Sequence, residues 1–316
     1  MKVISWLAAG GAAGWGAARL TGAERVRGLE APTSALLSFT PQVAALALLG
    51  SPLLRRRGAA ATAAAAGAAL AAVVLPRAIR RPQPPADGPV LRVLTANVQV
   101  GLADEDTVVS LVRRTNADVL FVQELTEAAA TRLKLAGLGD LLPYEAADLW
   151  ADTPRGSAIY ARFPLSNGPA LEPRYHAQPT ARLDLGSGQV ADLVCVHARP
   201  PTPPGSRRAT ARWGEDLAYL PGPASPPRVL AGDFNATADH AQFRRLLRRG
   251  HVDAAREVGH GLVPTWGPGP HGKPRMFTLD HVLVDPRCAV LTTSAHGLPG
   301  SDHRALYAEF RLPAQP

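Results

Sequence analysis

The chain contains few cysteines and few aromatic residues. Among its 316 residues there are two cysteines, Cys195 and Cys288, and 5% are aromatic. Two cysteines exclude a disulfide-rich scaffold, and because Cys195 lies inside an apolar strand pattern, we expect both to be free thiols. The scarcity of aromatic side chains argues against a nucleic-acid groove lined with rings.

Acidic residues are nearly absent from the first 86 positions. This segment carries ten basic residues and two acidic ones, Glu24 and Glu30, which accounts for the whole formal charge of +8. Positions 87–316 are balanced, with 24 basic and 24 acidic residues. Proteins that grip nucleic acid usually present a net basic face, so the neutral C-terminal part does not favour a nucleic-acid partner.

Three apolar stretches, residues 3–18, 36–54 and 58–75, are separated by basic residues. Each is close to the roughly 20 residues that a helix needs to cross a bilayer, and their alanines and glycines suit close helix packing in lipid. The pattern predicts a membrane region over residues 1–80 with about three transmembrane helices, then a Pro-rich linker over 81–89 that serves as a stiff spacer. The alternative, a signal peptide followed by an Ala-rich linker, explains only the first stretch.

The basic residues around these stretches give conflicting indications of membrane orientation. Lys2 and the dense triplet Arg55-Arg56-Arg57 place the N-terminus in the cytoplasm, whereas six dispersed arginines favour the reverse (Arg19, Arg25, Arg27, Arg77, Arg80 and Arg81). We give more weight to the triplet, because it lies in a very short loop. The chain is therefore expected to be a multi-pass cell-membrane protein with its C-terminal domain outside the cytoplasm.

From residue 90 onward, short β-type runs are broken by glycine and proline, with helical spacing in residues 107–115 and 238–249. The length suffices for one domain over 90–316. Residues 199–206 and 265–273 are predicted loops.

Several apolar runs of this domain end in polar residues. Asn97 and Gln123-Glu124 each close such a run, and Gly232-Asp233-Phe234-Asn235 closes a third. Because alternate residues of a strand share a face, Asp233 and Asn235 are predicted to project side by side at the strand end. Near the C-terminus, Ser301-Asp302-His303-Arg304 adds a carboxylate and an imidazole. The combination indicates a metal-dependent phosphoesterase.

In this order, the motifs resemble those of the endonuclease/exonuclease/phosphatase superfamily, the DNase I-like proteins. Six blocks match in sequence order: Asn97, Gln123-Glu124, Val196-His197, Gly232-Asp233-Phe234-Asn235, Leu279-Asp280-His281-Val282-Leu283 and Ser301-Asp302-His303. An ordered set is far more specific than any single block. The resemblance implies an α/β fold, a four-layer α/β/β/α sandwich with its active site at one rim, and residues 155–164 as the first strand of the second half. With the apolar N-terminal region, it extends to a membrane-anchored bacterial branch that includes a teicoplanin-resistance protein.

The resemblance implies Asn97, Glu124 and Asp302 as the metal site, with Mg²⁺ or Mn²⁺ as the cofactor. Glu124 is the strongest candidate, because Mg²⁺ takes one or two carboxylates and keeps several waters. Asn97 would complete the ligand shell or bind phosphate. Many relatives have an acidic residue at the position of Gln99, so a second metal near Asn97 is in doubt.

The implied catalytic residues are His197, Asp233, Asn235, Asp280 and His303. Asp233 would orient or deprotonate the attacking water, and Asn235 would donate its amide to the developing charge. Asp280 would fix the tautomer of His303, which contacts the phosphate or acts as base, and His197 would bind the phosphate or assist the leaving group. His281 is expected to be structural. The histidines and the tyrosine without a motif are expected to be structural or on the surface: Tyr160, His176, His251, His260, His271 and His296.

Three functions follow from this sequence. The first is a membrane-anchored Mg²⁺-dependent phosphoesterase acting on a phosphate ester or diphosphate, with a cell-envelope lipid phosphate as a candidate. The second is an extracytoplasmic DNase I-like nuclease, and the third is a non-catalytic membrane binding protein. The intact set of catalytic positions argues against the third, and the neutral domain does not favour the second. The sequence does not indicate an oligomeric state.

Overall fold

A computed structural model describes residues 2–26, 29–151, 153–172, 174–269 and 273–314. Within these residues, twelve strands form two six-stranded sheets, ordered β11-β12-β1-β2-β4-β3 and β5-β6-β7-β8-β10-β9. The strands are β1 (Val90–Asn97), β2 (Val119–Gln123), β3 (Tyr144–Asp148), β4 (Ser157–Ala161), β5 (Leu165–Asn167), β6 (Thr180–Asp184), β7 (Val190–His197), β8 (Arg228–Asp233), β9 (Val252–Asp253), β10 (Asp280–Val284), β11 (Ala289–Gly297) and β12 (Arg304–Arg311). The helices are α1 (Lys2–Thr21), α2 (Glu30–Leu37), α3 (Thr40–Gly50), α4 (Arg57–Val74), α5 (Glu105–Thr115), α6 (Glu127–Leu135), α7 (Leu138–Leu141), α8 (Arg207–Tyr219), α9 (Ala241–Leu247) and α10 (Ala254–Glu257).

The two sheets pack face to face over a shared apolar core. Phe121, Leu193 and Phe310 are fully buried between them, because alternate residues of each strand point inward. On the outer faces, α5 to α7 cover the first sheet, and α8 and α9 cover the second around Trp213 and Phe243. This arrangement confirms the predicted four-layer α/β/β/α sandwich. Both cysteines are buried and free, as expected.

Both predicted helical windows are helices, but the second is shorter than its spacing suggested. Helix α5 begins at an N-cap, where Asp104 accepts a hydrogen bond from the Thr107 amide. Helix α9 begins only at Ala241, because the preceding residues form a loop in which the Thr237 amide donates to Nδ1 of His240.

The assignment of residues 155–164 to the second half of the domain was wrong. The strand they contain, β4, pairs antiparallel with β2 and β3 and completes the first sheet. An apolar run predicts that a strand exists, but its partner depends on how the whole chain is connected.

Helices α1, α3 and α4 form a bundle beside the sandwich. At one end, the Trp6 ring lies close to Gly58, and at the other, Arg19 and Arg77 both reach Asp239. Helices α1 and α4 therefore run in the same direction, with the domain at their C-terminal ends. Gly67 allows α3 to approach α4 closely, since a Cβ atom there would lie 2.8 Å from the Leu48 backbone nitrogen.

The expectation of three transmembrane helices is not supported. Among the described residues, one helix is long and apolar enough to span a bilayer, Arg57–Ala78. The second predicted stretch is broken, because α2 ends at Leu37 and α3 starts at Thr40 with a 69° bend between them, so it counts as a span only when the bent pair is taken together. Pro41 lies in the first turn of α3, where its missing N–H group costs no hydrogen bond within that helix. Helix α1 has the length but, rich in alanine and glycine, is not apolar enough.

The Pro-rich segment does not hold the domain away from the helices. The Arg81 amide donates to the Glu257 carbonyl at 2.9 Å, and the Val290 amide donates to Gln83 Oε1 at 2.7 Å. The linker therefore lies along the domain surface rather than serving as a stiff spacer.

Asp239 joins the helical bundle to the sandwich. Its carboxylate accepts hydrogen bonds from Arg19 Nε at 2.6 Å and from Arg77 Nη1 at 2.7 Å, with all three side chains less than 10% exposed. Two of the six arginines that argued for the reverse membrane orientation are thus buried against the domain.

Candidate active site

The predicted catalytic residues lie at strand ends that the sheet registers bring together. Asn97 pairs with Gln123 across the parallel strands β1 and β2. In the second sheet, Asp233 has His197 as its partner on one side and Asp280 on the other. The two sheets meet at this rim, where Asn97 Nδ2 donates to Asp233 Oδ2 at 3.2 Å.

Asn97 holds the Glu124 carboxylate in place. Its Nδ2 donates to Glu124 Oε1 at 3.0 Å, and the Val100 amide donates to Oε2 at 3.0 Å. The Asn97 side-chain oxygen accepts the Gln99 amide at 2.9 Å, so in this geometry Asn97 orients the neighbouring carboxylates. Burial raises the pKa of Glu124 despite these donors. Glu124 also has a φ of 57°, which non-glycine residues rarely adopt, and such strain is concentrated at functional sites.

Asp233 and Asn235 lie side by side, but strand alternation is not the reason. Strand β8 ends at Asp233, and Asn235 has a φ of 48° in the turn that follows. The backbone N–H of Asn235 donates to Asp233 Oδ1 at 2.8 Å, and the side-chain Nδ2 of Asn235 donates to the Ala198 carbonyl at 2.9 Å. Gly232 permits the close approach of β7, since a Cβ atom there would lie 1.9 Å from the Val196 oxygen.

Asp280, His303 and Asp233 form a buried charged cluster with one hydrogen bond, between His303 and Asp280. The Nδ1 atom of His303 lies 2.9 Å from Asp280 Oδ2, and its Nε2 lies 3.7 Å from Asp233 Oδ2. Burial alone would lower the pKa of His303, but the carboxylates of Asp280 and Asp233 outweigh it and raise that pKa. Burial also raises the pKa of Asp233, partly offset by the charge of His303. His303 is therefore an imidazolium held between two carboxylates.

Asp302 faces the same pocket from the loop before β12. Its Oδ2 accepts a hydrogen bond from Trp266 Nε1 at 2.9 Å, and its backbone amide donates to Gln99 Oε1 at 2.8 Å. Gln99 thus ties the loop after β1 to the loop that carries Asp302. The neighbouring Ser301 hydroxyl donates to the Asn97 carbonyl at 2.8 Å, which fixes the loop further.

The His197 imidazole is buried, which favours its neutral form. Burial lowers its pKa well below the usual value, and the charges of His176 and His303 lower it further. Its Nε2 lies 3.9 Å from Glu124 Oε1, and its ring stacks on His176 with centroids 3.9 Å apart. Its Nδ1 has no hydrogen-bond partner among the described residues.

All eight predicted site residues lie at one cavity of about 640 Å³. Six line it directly, and Asn97 and Asp280 lie behind them in contact with Asp233 and His303 (the six are Glu124, His197, Asp233, Asn235, Asp302 and His303). His281 is structural, as predicted, because its ring bonds Asp253 and the Ala236 carbonyl away from the cavity.

The cavity also contains residues that were not identified from the sequence as functional, among them Gln99, His176, His240 and Trp266. His176 was expected to be structural or on the surface, yet it stacks on His197 and is 5% exposed. Trp266 lies in the predicted loop 265–273, and this prediction is the one sequence signal that could have identified it. Residues 270–272, which include His271, lie outside the described residues. Tyr160 and His251 are buried.

The oxygen-rich donor set fits the predicted Mg²⁺ or Mn²⁺. Asp233, Asp280 and His303 have potential ligand atoms within 4.8 Å of one another, but the side chains of these three residues are almost fully buried. The side chains of Glu124 and Asp302 are 20% and 22% exposed to the cavity, against 2% for Asp233. Glu124 and Asp302 are therefore the better metal ligands.

Comparisons with known proteins agree with this site. The model of the Endonuclease/Exonuclease/phosphatase family matches residues 94–303. Similar solved structures include a humanized D. rerio TDP2 (19% identity, 70% of this chain and 99% of that one, TM-score 0.56), an AP endonuclease from Archaeoglobus fulgidus (17%, 69% and 98%, 0.52) and sphingomyelinase C from Streptomyces griseocarneus (17%, 70% and 99%, 0.50). No curated protein sequence gives a significant match. The chain belongs to the endonuclease/exonuclease/phosphatase family, and it is a metal-dependent hydrolase of phosphoester bonds.

Proposed function

We propose that this protein is a membrane-anchored, Mg²⁺-dependent phosphoesterase that hydrolyses a phosphate ester or diphosphate, with a lipid phosphate of the cell envelope as its substrate. The observation that carries the proposal is the cavity itself. Its floor holds the complete set of carboxylates and imidazoles, and one of its walls is formed by the helical region, including Ala35 and Phe39. A substrate bound on this floor would therefore lie beside the helices.

The chain's own residues would divide the chemistry as follows. A divalent metal, Mg²⁺ or Mn²⁺ held by Glu124 and Asp302, would neutralise charge on the phosphoryl oxygens. Asp233, whose pKa is raised by burial, would accept the proton of the attacking water at Oδ2. The imidazolium of His303 would donate a hydrogen bond from Nε2 to a phosphoryl oxygen, while Asp280 keeps its ring charged and oriented. His197, neutral and beside Glu124, would bind the phosphate or assist the leaving oxygen.

Anchoring by the helical bundle rests on its uncharged exposed surface. Helix α3 exposes Leu46 and Leu49 to 73% and 80%, and α1 exposes Val3, Ile4 and Leu7 to 65–69%. Exposed apolar side chains in this number are typical of a surface that contacts a membrane or a partner. The Arg55–Arg57 triplet lies at the end of the bundle away from the domain, which agrees with a cytoplasmic triplet and an external domain. We also propose membership of the membrane-anchored branch that includes the teicoplanin-resistance protein.

The second candidate is an extracytoplasmic nuclease. Two of the similar structures are named for DNA-processing enzymes, a D. rerio TDP2 with a DNA product and an AP endonuclease. The cavity offers only a few aromatic rings for bases, Trp266 and Phe277 among them, and the helical wall narrows access for a duplex. We therefore favour a lipid-linked substrate.

The test is phosphatase and phosphodiesterase activity of the purified full chain in detergent micelles. Its panel comprises polyprenyl diphosphate, phosphatidic acid, sphingomyelin and single- and double-stranded DNA. We expect hydrolysis of a lipid phosphate that excess chelator abolishes and Mg²⁺ or Mn²⁺ restores. Glu124→Gln should raise the Mg²⁺ concentration needed for half-maximal rate by at least about tenfold. Glu127→Gln, on an exposed carboxylate three residues away, is the matched control and should behave as wild type. Unchanged turnover in chelator would contradict the metal mechanism, and hydrolysis of DNA alone would identify the nuclease.

A further inference from the structure

The bent junction between α2 and α3, residues Ser34 to Phe39, is built into the active-site cavity. Ser34, Ala35, Ser38 and Phe39 line the same cavity as the catalytic carboxylates. We name this junction, residues 34–39, the elbow. We propose that the elbow is the substrate-specificity element of the enzyme, and that Ala35 and Phe39 bind the hydrocarbon chain attached to the substrate phosphate. This inference rests on the proposed function. It gives a binding site to the part of the substrate that the catalytic residues do not contact.

The elbow is fixed to the catalytic domain by several contacts. The Nδ1 atom of His240 accepts the Thr237 amide, so its Nε2 carries the proton and donates to the Ser34 carbonyl. The Phe39 ring meets Phe277 edge to face with centroids 4.7 Å apart. On the next turn, Gln42 Nε2 donates to the Met276 carbonyl at 3.2 Å. The elbow is thus a defined wall of the cavity.

The wall and the floor of the cavity differ in chemistry. The floor carries Glu124, Asp302 and the His303 imidazolium, whereas the segment from Ala31 to Leu54 contains no charged residue. Ala35 and Phe39 are only partly buried, which leaves part of their apolar surface facing the cavity. A phosphate on the floor would therefore have its substituent against an uncharged wall.

The apolar wall continues onto the exposed surface of the helical bundle. Leu36 directly follows Ala35 and is 50% exposed, and Leu49 and Leu53 farther along the segment are 80% and 82% exposed. A chain leaving the cavity past the elbow would therefore meet apolar surface. This continuity favours a lipid with one long hydrocarbon chain over a soluble phosphate ester, which would leave the wall uncovered.

Binding of short alkyl phosphates distinguishes the contribution of the elbow to affinity from that of the residues on the cavity floor. Ethyl phosphate, hexyl phosphate and inorganic phosphate would be titrated by calorimetry with Mg²⁺ into the full chain carrying Asp233→Asn, which prevents turnover. A buried methylene contributes about fourfold in affinity, so hexyl phosphate should bind at least about tenfold more tightly than ethyl phosphate. Ala35→Gln and Phe39→Ala, each without a change of charge, should reduce this ratio to about threefold or less and leave inorganic phosphate within twofold. Leu135→Ala, which truncates an 82% exposed leucine of α6 outside the cavity, is the matched control and should keep the full ratio.

Three results would overturn the proposal. The first is a ratio of hexyl phosphate affinity to ethyl phosphate affinity below about two with the elbow unchanged. The second is a ratio that neither elbow variant reduces. The third is an equal loss of affinity for all three ligands, which would show that the elbow has a structural role alone. Tight binding of an oligonucleotide that is insensitive to Ala35→Gln, without a chain-length preference, would assign the cavity to the nuclease alternative. The proposed function is decided separately by hydrolysis with Asp233 intact. An inactive chain that still shows the wall-dependent preference would refute the hydrolysis but not the role of the elbow.

Discussion

Replacing Asp239 with leucine should destabilise the protein severely, although Asp239 makes no contact with the predicted catalytic residues. The variant leaves two guanidinium groups, those of Arg19 and Arg77, in a site where their side chains are 8% and 4% exposed. Breaking a buried ion pair by removing one partner costs about 3–5 kcal/mol, because the remaining charge is buried without compensation. We expect the free energy of unfolding to fall by about this amount.

The assay is chemical unfolding of the full chain in detergent micelles, followed by circular dichroism. The matched control is Arg81→Ala, which removes a 2.9 Å ion pair with Glu257 whose arginine is 42% exposed and which should cost less than about 1 kcal/mol. The triple variant Arg19→Met, Asp239→Leu, Arg77→Met removes all three charges and should recover most of the stability. A loss below 1 kcal/mol for Asp239→Leu, or a triple variant as unstable as the single one, would refute the reasoning.

Two further predictions concern pH. Burial lowers the pKa of His303, and the carboxylate of Asp280 raises it. The Asp280→Asn variant should therefore have a lower His303 pKa. The alkaline limb of the profile of kcat/KM against pH should then move to lower pH, with a rate loss of about 10²–10⁴; an unmoved limb would show that the charge of His303 is not required. Burial lowers the pKa of His251 to about 4 in the folded chain. As pH falls, His251 is therefore protonated in the unfolded chain before it is protonated in the folded chain. The contribution of His251 to the unfolding free energy is complete above about pH 6.5 and is lost as pH falls towards 4. Unfolding free energies measured between pH 7 and 4 should show a loss of up to about 3 kcal/mol that His251→Gln reduces, and an equal loss in this variant would assign the effect to other groups.

The residues that meet at the candidate site could be predicted from the sequence because each lies in a short local motif. Asp233 and Asp280 are placed by the strands that carry them, and no long-range information is needed to recognise those strands. The position of β4 could not be predicted in the same way, since an apolar strand fits either sheet. Asn235 was placed correctly for an incorrect reason, because a left-handed turn, not strand alternation, brings it beside Asp233.

Residues that act through long-range contacts were missed. His176 contacts His197, and Trp266 contacts Asp302, but neither lies within a motif that a single sequence reveals. The helical region was misread for a related reason. Its composition predicts apolar helices, whereas the break at Ser38 and Phe39 is stabilised by packing against Phe277, more than 200 residues away in the sequence.

The loop after β8 connects the helical bundle to the candidate active site. Asp233 and Asn235 end the catalytic motif, and a few residues later Asp239 binds the bundle and His240 binds the elbow. A chain that begins at Asp87 would therefore lose one wall of its active site and leave Asp239 without Arg19 and Arg77. Weak activity of such a soluble fragment towards lipid phosphates would reflect this missing wall, because the residues of the cavity floor would all remain. The helical region forms part of the candidate active-site cavity, so the substrate should be sought with the full chain.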